Sequence, residues 1–167
     1  GVPTEIVLEV IADGYIDDTN ATYFTSNSLG VKDTVAPWEI AMVKFDVSSI
    51  VGLQAAYLNL YCNTIPAPPD NIEGYRIIQS WSEENPPDSY TTVDSDSFRS
   101  SIIGIPMTEI SSTGWVSCDA TAVVEDWVLT GKTNHGILLG PMSAEVLFDS
   151  KESESNVPEL IIYGWEE

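Results

Sequence analysis

The sequence predicts an all-β fold, a sandwich or barrel of antiparallel strands. Three observations support this. Short apolar runs rich in β-branched and aromatic residues recur along the chain, clusters of Gly, Pro, Asn and Asp separate them, and no long helical segments alternate with them. Because 167 residues is a usual size for one domain, we interpret residues 1–167 as a single domain.

The clearest candidate strand is AAYLNLYCN, in which the side chains alternate without interruption. Its two faces are formed by Leu58, Leu60 and Cys62 and by Tyr57, Asn59 and Tyr61. The other candidate strands, in chain order, are TEIVLEVIAD, EIAMVKFDV, EGYRIIQSW, SIIGIPM, GWVSCDA, HGILLG, AEVLFDS and ELIIYGW. In EIAMVKFDV we expect Ile40, Met42 and Phe45 to point toward the core.

Two proline-rich segments, IPAPPDNIEG and SEENPPDSYTTVDSDS, are predicted to be loops, because proline removes a donor from the strand ladder. Their length is typical of loops that form a binding surface or cross a sheet edge.

One segment, DATAVVEDWVLTGK, breaks the strand pattern and predicts a short α-helix around residues 120–130. Its apolar side chains recur on one helical face. Asp119 or Thr121 is the expected N-cap, and Gly131 can adopt the left-handed conformation after the last turn. We expect Trp127 to pack into the end of the sandwich.

The charge of the chain excludes some partners. The sequence has 26 acidic side chains against 6 Lys plus Arg, a net charge of −20. Nucleic-acid binding needs a positive surface, so we expect no nucleic-acid partner. No apolar run approaches the length of a membrane span, and we expect no membrane insertion. Cations and uncharged sugars remain compatible with this charge.

The only two cysteines, Cys62 and Cys118, each end a strand-like run. They are either two small buried hydrophobic residues or one disulfide of an oxidising compartment. A metal site built on them is not expected, since neither has a second thiol or imidazole nearby.

The order of several motifs resembles one family. These are ADGYIDDTN, VKFDVSSI, YRIIQSWSE, GWVSCDATAVVEDWVLTGKTNHGILL and FDSKESESNVPELIIY. Together they resemble the DNRLRE-type domain of bacterial and archaeal surface proteins. They are also similar to jelly-roll carbohydrate-binding modules and to disaggregatase-related surface proteins of Methanosarcina. The resemblance implies a jelly-roll β-sandwich that is secreted or at the cell surface, is not an enzyme, and is one module of a larger protein.

The chain departs from that family at several positions. The family often has a further Trp after the SW motif, where this chain has ENPPDSYTT, so that either Tyr90 takes its place or this stacking platform is absent. Arg is common where this chain has Lys44 and Lys151. Lysine cannot form the bidentate fork that recognises a carboxylate, which weighs against binding of anionic sugars.

Exposed aromatic rings can stack on the apolar faces of sugars. Trp81, Trp115 and Trp127 are expected in the core. The predicted polysaccharide-binding residues are Tyr15, Tyr23, Trp38 and Tyr90, and Phe24 and Trp165 are further candidates for exposed rings. The alternative for each of these rings is ordinary packing within the sandwich.

Calcium is the predicted cofactor. Its predicted ligands, in two oxygen-rich segments, are Asp13, Asp17, Asp18, Asn20, Asp149 and Glu152. The alternative for the first segment is an ordinary turn. For the second it is a structural cluster, in which Lys151 turns inward beside Glu152 and closes the end of the last hairpin.

An enzymatic role is not expected, because the sequence assembles no catalytic constellation. His135 is the only histidine, and no serine lies in a nucleophile-elbow motif. Three functions therefore stay open at this point. The first is a non-catalytic module that binds polysaccharide or a cell-surface glycan. The second is a structural or adhesion domain of a cell envelope, and the third is a polysaccharide-degrading domain.

Overall fold

A computed structural model of the chain describes residues 1–33, 36–140, 142 and 144–167. It shows two antiparallel six-stranded sheets packed face to face, which confirms the all-β sandwich. In chain order the strands are β1 Thr4–Glu9, β2 Ala12–Asp17, β3 Thr22–Tyr23, β4 Ser28–Val31, β5 Glu39–Lys44, β6 Ile50–Thr64, β7 Asp70–Ile77, β8 Arg99–Ile110, β9 Gly114–Asp119, β10 Ile137–Gly140, β11 Val146–Asp149 and β12 Glu159–Glu166.

The first sheet is organised around β6, its longest strand. Its order is β1-β12-β6-β11-β4, and β9 also pairs with β6. The alternation predicted for AAYLNLYCN is confirmed, because Leu58, Leu60 and Cys62 are fully buried, whereas the tyrosines on the other face are half-exposed. The first sheet therefore has one face in the core and one face toward solvent.

The second sheet has the order β3-β2-β5-β10-β7-β8 and is apolar on both faces. On β5, Ala41 and Val43 join the core between the sheets, while Ile40 and Met42 join a second apolar cluster on the outer face. The segment between β7 and β8 covers that cluster with Trp81 and other side chains. An uninterrupted apolar run such as IAMV, residues 40–43, is the sequence signature of a strand covered on both sides.

Two α-helices lie within the described residues. The predicted helix is confirmed as α2, Thr121–Val128. The predicted cap is wrong, because Ala120 is the N-cap and has no capping side chain; Asp119 accepts a bond from the Thr121 amide instead. The shorter helix α1, Tyr90–Val93, lies in a segment that was predicted to be a loop, and Ser89 caps it by accepting from the Thr92 amide.

The tryptophans only partly follow the sequence-based prediction. Trp81 and Trp127 are buried as expected. The prediction for Trp115 is wrong, because its ring is 48% exposed on the solvent face of β9. Phe24 is buried in the outer cluster and provides no exposed ring. Trp165 is half-buried and packs against Gly52.

The two cysteines are free thiols in the core. They lie on the paired strands β6 and β9, but Cys62 is opposite Gly114, and Cys118 is opposite Leu58. That offset of four residues corresponds to roughly 13 Å along the strand, about twice the distance that a disulfide spans. The structure therefore favours the buried-hydrophobe alternative.

No helix among the described residues is both long enough and apolar enough to cross a bilayer.

Candidate functional site

A pocket with a partly polar lining lies on the outer face of the second sheet. Its volume is about 260 Å³. Its floor is formed by the outward side chains of β5 and β10, Ile40 and Leu138, and its walls come from β7, β8 and the α1 region. The described lining residues are Asp33, Glu39, Ile40, Tyr75, Tyr90, Asp94, Arg99, Leu138 and Gly140. The pocket thus combines an apolar floor with polar walls, as small-molecule sites do.

Two of the predicted sugar-binding residues meet at this pocket. Tyr90 begins α1 and lines the pocket, and its ring centroid lies 6.2 Å from that of Trp38, which directly precedes β5. Tyr90 is buried, whereas Trp38 is 42% exposed. Asn20 holds this wall in place, because its Oδ1 accepts a bond from the Tyr90 amide at 2.9 Å. Trp38 therefore presents a free aromatic surface beside the opening.

The opposite wall is built around Arg99, at the start of β8. Its guanidinium carbon lies 4.3 Å from the centre of the Tyr75 ring, and one of its nitrogens bonds Asp94 at 3.1 Å. The Tyr75 hydroxyl donates to Glu73 at 2.6 Å. Stacking on Tyr75 holds the guanidinium in one plane, with Nε buried and without a hydrogen-bond acceptor among the described residues.

Acidic groups dominate the electrostatics of the pocket. Burial raises the pKa of Asp33, and the nearby Asp94 carboxylate raises it further. Burial and the adjacent Glu145 carboxyl raise the pKa of Glu39 to about 8. Arg99 is the one cationic side chain in the described lining, and Asp94 already partly neutralises it.

The other two predicted sugar-binding residues lie elsewhere. Tyr15 of β2 and Tyr23 of β3 stack on each other, with ring centroids 4.4 Å apart and planes inclined by 11°. Tyr15 packs against the core between the sheets, and the Tyr23 hydroxyl donates to Asp17. Each ring thus already has one face covered by the other, and the structure does not bring this pair to the pocket.

The predicted calcium ligands are not assembled in one place. Asp17 is saturated by donors, since it accepts bonds from the Thr19 amide and hydroxyl, the Ala21 amide and the Tyr23 hydroxyl. Asn20 faces Tyr90. Asp149 accepts from Asn63 on the outer face of the first sheet. Asp18 is half-buried beyond β2, in the turn that leads to β3. The hydrogen bonds around Asp17 match the alternative interpretation of this segment, in which it is an ordinary turn.

Asp13 and Glu152 do come together, beneath the turn Lys151–Ser153. Asp13 is fully buried, and its Oδ2 accepts from the Lys151 amide at 2.8 Å. The Lys151 ammonium turns inward, bonding Glu83 at 2.5 Å and lying 3.9 Å from Glu152. Burial, with Glu152 and Glu83 adding to it, raises the pKa of Asp13 to about 7. The arrangement is the structural cluster that the sequence offered as the alternative to a metal site.

Asp13 and Glu152 alone do not complete a calcium site. Asp13 Oδ1 and Glu152 Oε2 lack donors, but calcium needs six to eight oxygens. No group of three or more His, Cys, Asp and Glu side chains in the described ranges is arranged to hold a metal ion. Calcium therefore stays a prediction.

Sequence reasoning missed Arg99, Tyr75 and Asp94. They come from two strands and the loop after α1, and the β7–β8 pairing that aligns them contains register shifts. One signal was available: Arg99 is a lone basic residue that follows the acidic run DSDS in a chain with few basic residues.

Comparison with known proteins gives one family. The model described as Carbohydrate-binding module family 96 matches residues 4–164. A search of curated proteins finds no match. The family match covers both sheets, α2 and all described walls of the pocket.

Proposed function

We propose, since the chain belongs to carbohydrate-binding module family 96, that it binds an uncharged polysaccharide at the pocket between Trp38 and Arg99. The observation that carries this proposal is the exposed Trp38 ring against Tyr90, which lines the same pocket as the Arg99–Asp94 ion pair. The flat ring can stack on the C–H face of a sugar. Arg99 and Asp94 supply a donor and an acceptor for neighbouring hydroxyl groups.

The charge of the pocket supports an uncharged ligand over a uronate polymer. Two acids, Asp33 and Asp94, lie in the described lining against one guanidinium; Glu39 adds no negative charge near neutral pH, because its pKa is raised to about 8. A uronate carboxylate would meet these acids at short range, and like charges repel strongly in a partly buried site. The lysines at positions 44 and 151, where Arg is common in the similar family, lie outside the described lining.

We expect Trp38→Ala to weaken binding of the polysaccharide about tenfold or more, because loss of a central aromatic contact removes roughly 2 kcal/mol. A glycan array identifies the ligand, and isothermal titration with an oligomer of that glycan measures the change. Ile102→Ala is the matched control. Ile102 is 76% exposed on the edge strand β8 and is not among the described lining residues of the pocket.

An affinity that is the same in wild type, Trp38→Ala and Ile102→Ala would reject the pocket. Preference of the wild-type module for a uronate polymer over its uncharged counterpart would reject the charge argument. Absence of binding to any glycan would favour the alternative of a structural or adhesion domain.

The finer identity of the module is also proposed. The motif order supports a DNRLRE-type domain related to archaeal surface proteins, acting beside other modules of a secreted or cell-surface protein, where polysaccharides are found. A non-catalytic role is supported by the surroundings of His135. Its carbonyl accepts the Trp81 indole N–H, and burial lowers the pKa of its imidazole.

The calcium prediction is tested by thermal unfolding in calcium chloride and in sodium chloride of equal ionic strength. If calcium binds a specific site, the free energy of binding stabilises the folded chain. The melting temperature in calcium chloride is then higher than in sodium chloride. Asp13→Asn should then abolish the difference. Equal shifts in both salts leave only screening of the net charge.

A further inference from the structure

The solvent face of the first sheet carries exposed aromatic rings that the pocket does not use. Trp115 of β9 lies opposite Tyr61 of β6, and their rings meet edge to face at 5.5 Å. Tyr57 of β6 and Tyr163 of β12 form a second edge-to-face pair at 6.2 Å. These four residues are called the aromatic strip below. Nothing in the fold requires Trp115 to be aromatic, because nearly half of its surface is exposed.

Acidic side chains flank the aromatic strip, and basic ones are missing from it. Glu5 accepts a bond from the Tyr163 hydroxyl at 3.0 Å, and Asp119 lies directly opposite Tyr57. Both carboxylates are exposed. The six strands of the first sheet, all of whose residues are described, contain no Lys or Arg. The local surface is therefore both aromatic and negatively charged.

We propose that the aromatic strip is a second glycan-binding surface and that it takes polysaccharides with free amino groups. The sugar ring supplies a C–H face for Trp115. A protonated amine is attracted both to the aromatic rings and to the Glu5 and Asp119 carboxylates. An uncharged sugar lacks the second attraction, and a uronate is repelled. This charge complementarity selects the ligand class.

The size and position of the aromatic strip fit a polymer. Tyr57 and Tyr61 lie four residues apart on β6, roughly 13 Å along the strand, so a ligand that touches both spans several sugar units. The strip and the pocket lie on the outer faces of opposite sheets, which point away from each other. One module could thereby contact two polysaccharide chains at once.

The test compares two oligomers of equal length, one of glucosamine and one of N-acetylglucosamine, at a mildly acidic pH that keeps the amines protonated. Isothermal titration with the intact chain should show tighter binding of the amine oligomer. We expect Trp115→Ala to weaken that binding about tenfold, and Glu5→Gln to weaken it by a smaller factor. Ile102→Ala should leave it unchanged.

Three results would overturn the inference. The first is equal binding of the two oligomers. The second is amine-oligomer binding that Trp115→Ala leaves within twofold of wild type, which would assign the attraction to net charge alone. The third is a polylysine peptide of the same length that binds as tightly and is weakened equally by Trp115→Ala, which would assign the strip to basic peptides. None of these depends on Trp38, so the pocket proposal can fail or succeed separately.

Discussion

Raising the pH from 6 to 9 should lower the free energy of unfolding by about 3 kcal/mol, because buried Glu39 loses its proton. Burial, followed by the adjacent Glu145 carboxyl, raises the pKa of Glu39 from 4.5 to about 8. In the unfolded chain Glu39 is already ionised at pH 6, so the extra proton belongs to the folded state. The stabilisation is complete below about pH 4.5 and disappears as the pH rises through about 8. Urea unfolding at a series of pH values measures it.

The variant Glu39→Gln should reduce this loss, since glutamine keeps the size of the side chain and does not titrate. A smaller loss should remain from Asp13, whose pKa burial raises to about 7. Asp46→Asn is the matched control. Hydrogen bonds from Ser48 lower the pKa of Asp46. The contribution of ionised Asp46 to the free energy of unfolding is therefore lost only as the pH falls below the ordinary pKa of an aspartate. A wild-type stability that stays constant from pH 6 to 9, or an undiminished loss in Glu39→Gln, would contradict the assignment.

Most of the fold was predictable because strand alternation is a local property of the sequence. The solvent and core faces of β6 and the position of α2 follow directly from it. Alternation does not reveal which elements cover a given face. The core assignment of Trp115 failed for that reason: β9 turns this side chain away from the second sheet, and no loop covers it among the described residues. Helix α1 was missed because one capped turn has no apolar period.

The site was predictable only where one short segment carries the chemistry. Trp38 stood out as an aromatic residue between a proline and a strand. Tyr15 and Tyr23 looked equivalent to it, but strands β2 and β3 place their rings against each other. The acids of ADGYIDDTN are close in sequence, yet Asp13 and Asp17 lie near opposite ends of β2, roughly 13 Å apart along the strand, and have different partners. Proximity in sequence therefore does not by itself bring these acids to one place in the fold.

Gly136→Ala should destabilise the fold by about 3 kcal/mol or more. Gly136 has φ +91°, and an added Cβ would lie 2.4 Å from the Val43 carbonyl oxygen of the neighbouring strand. Its carbonyl also accepts the Ile77 amide, and its amide donates to Asn134, whose side chain holds the Phe45 carbonyl. A shift of this backbone disturbs β5, β7 and β10 together. The melting temperature should fall by about 10 °C.

Comparison with Gly131→Ala separates two costs: the steric clash of the added Cβ at position 136, and the cost of placing alanine at a positive φ. Gly131 also has a positive φ, +71°, but no atom lies within 4 Å of an added Cβ. Its replacement should therefore cost only about 1 kcal/mol. Thermal and urea unfolding of the two variants side by side measure the difference. Equal losses would show that conformation alone explains the need for glycine, and that residues 134–136 do not fix the spacing of β5, β7 and β10.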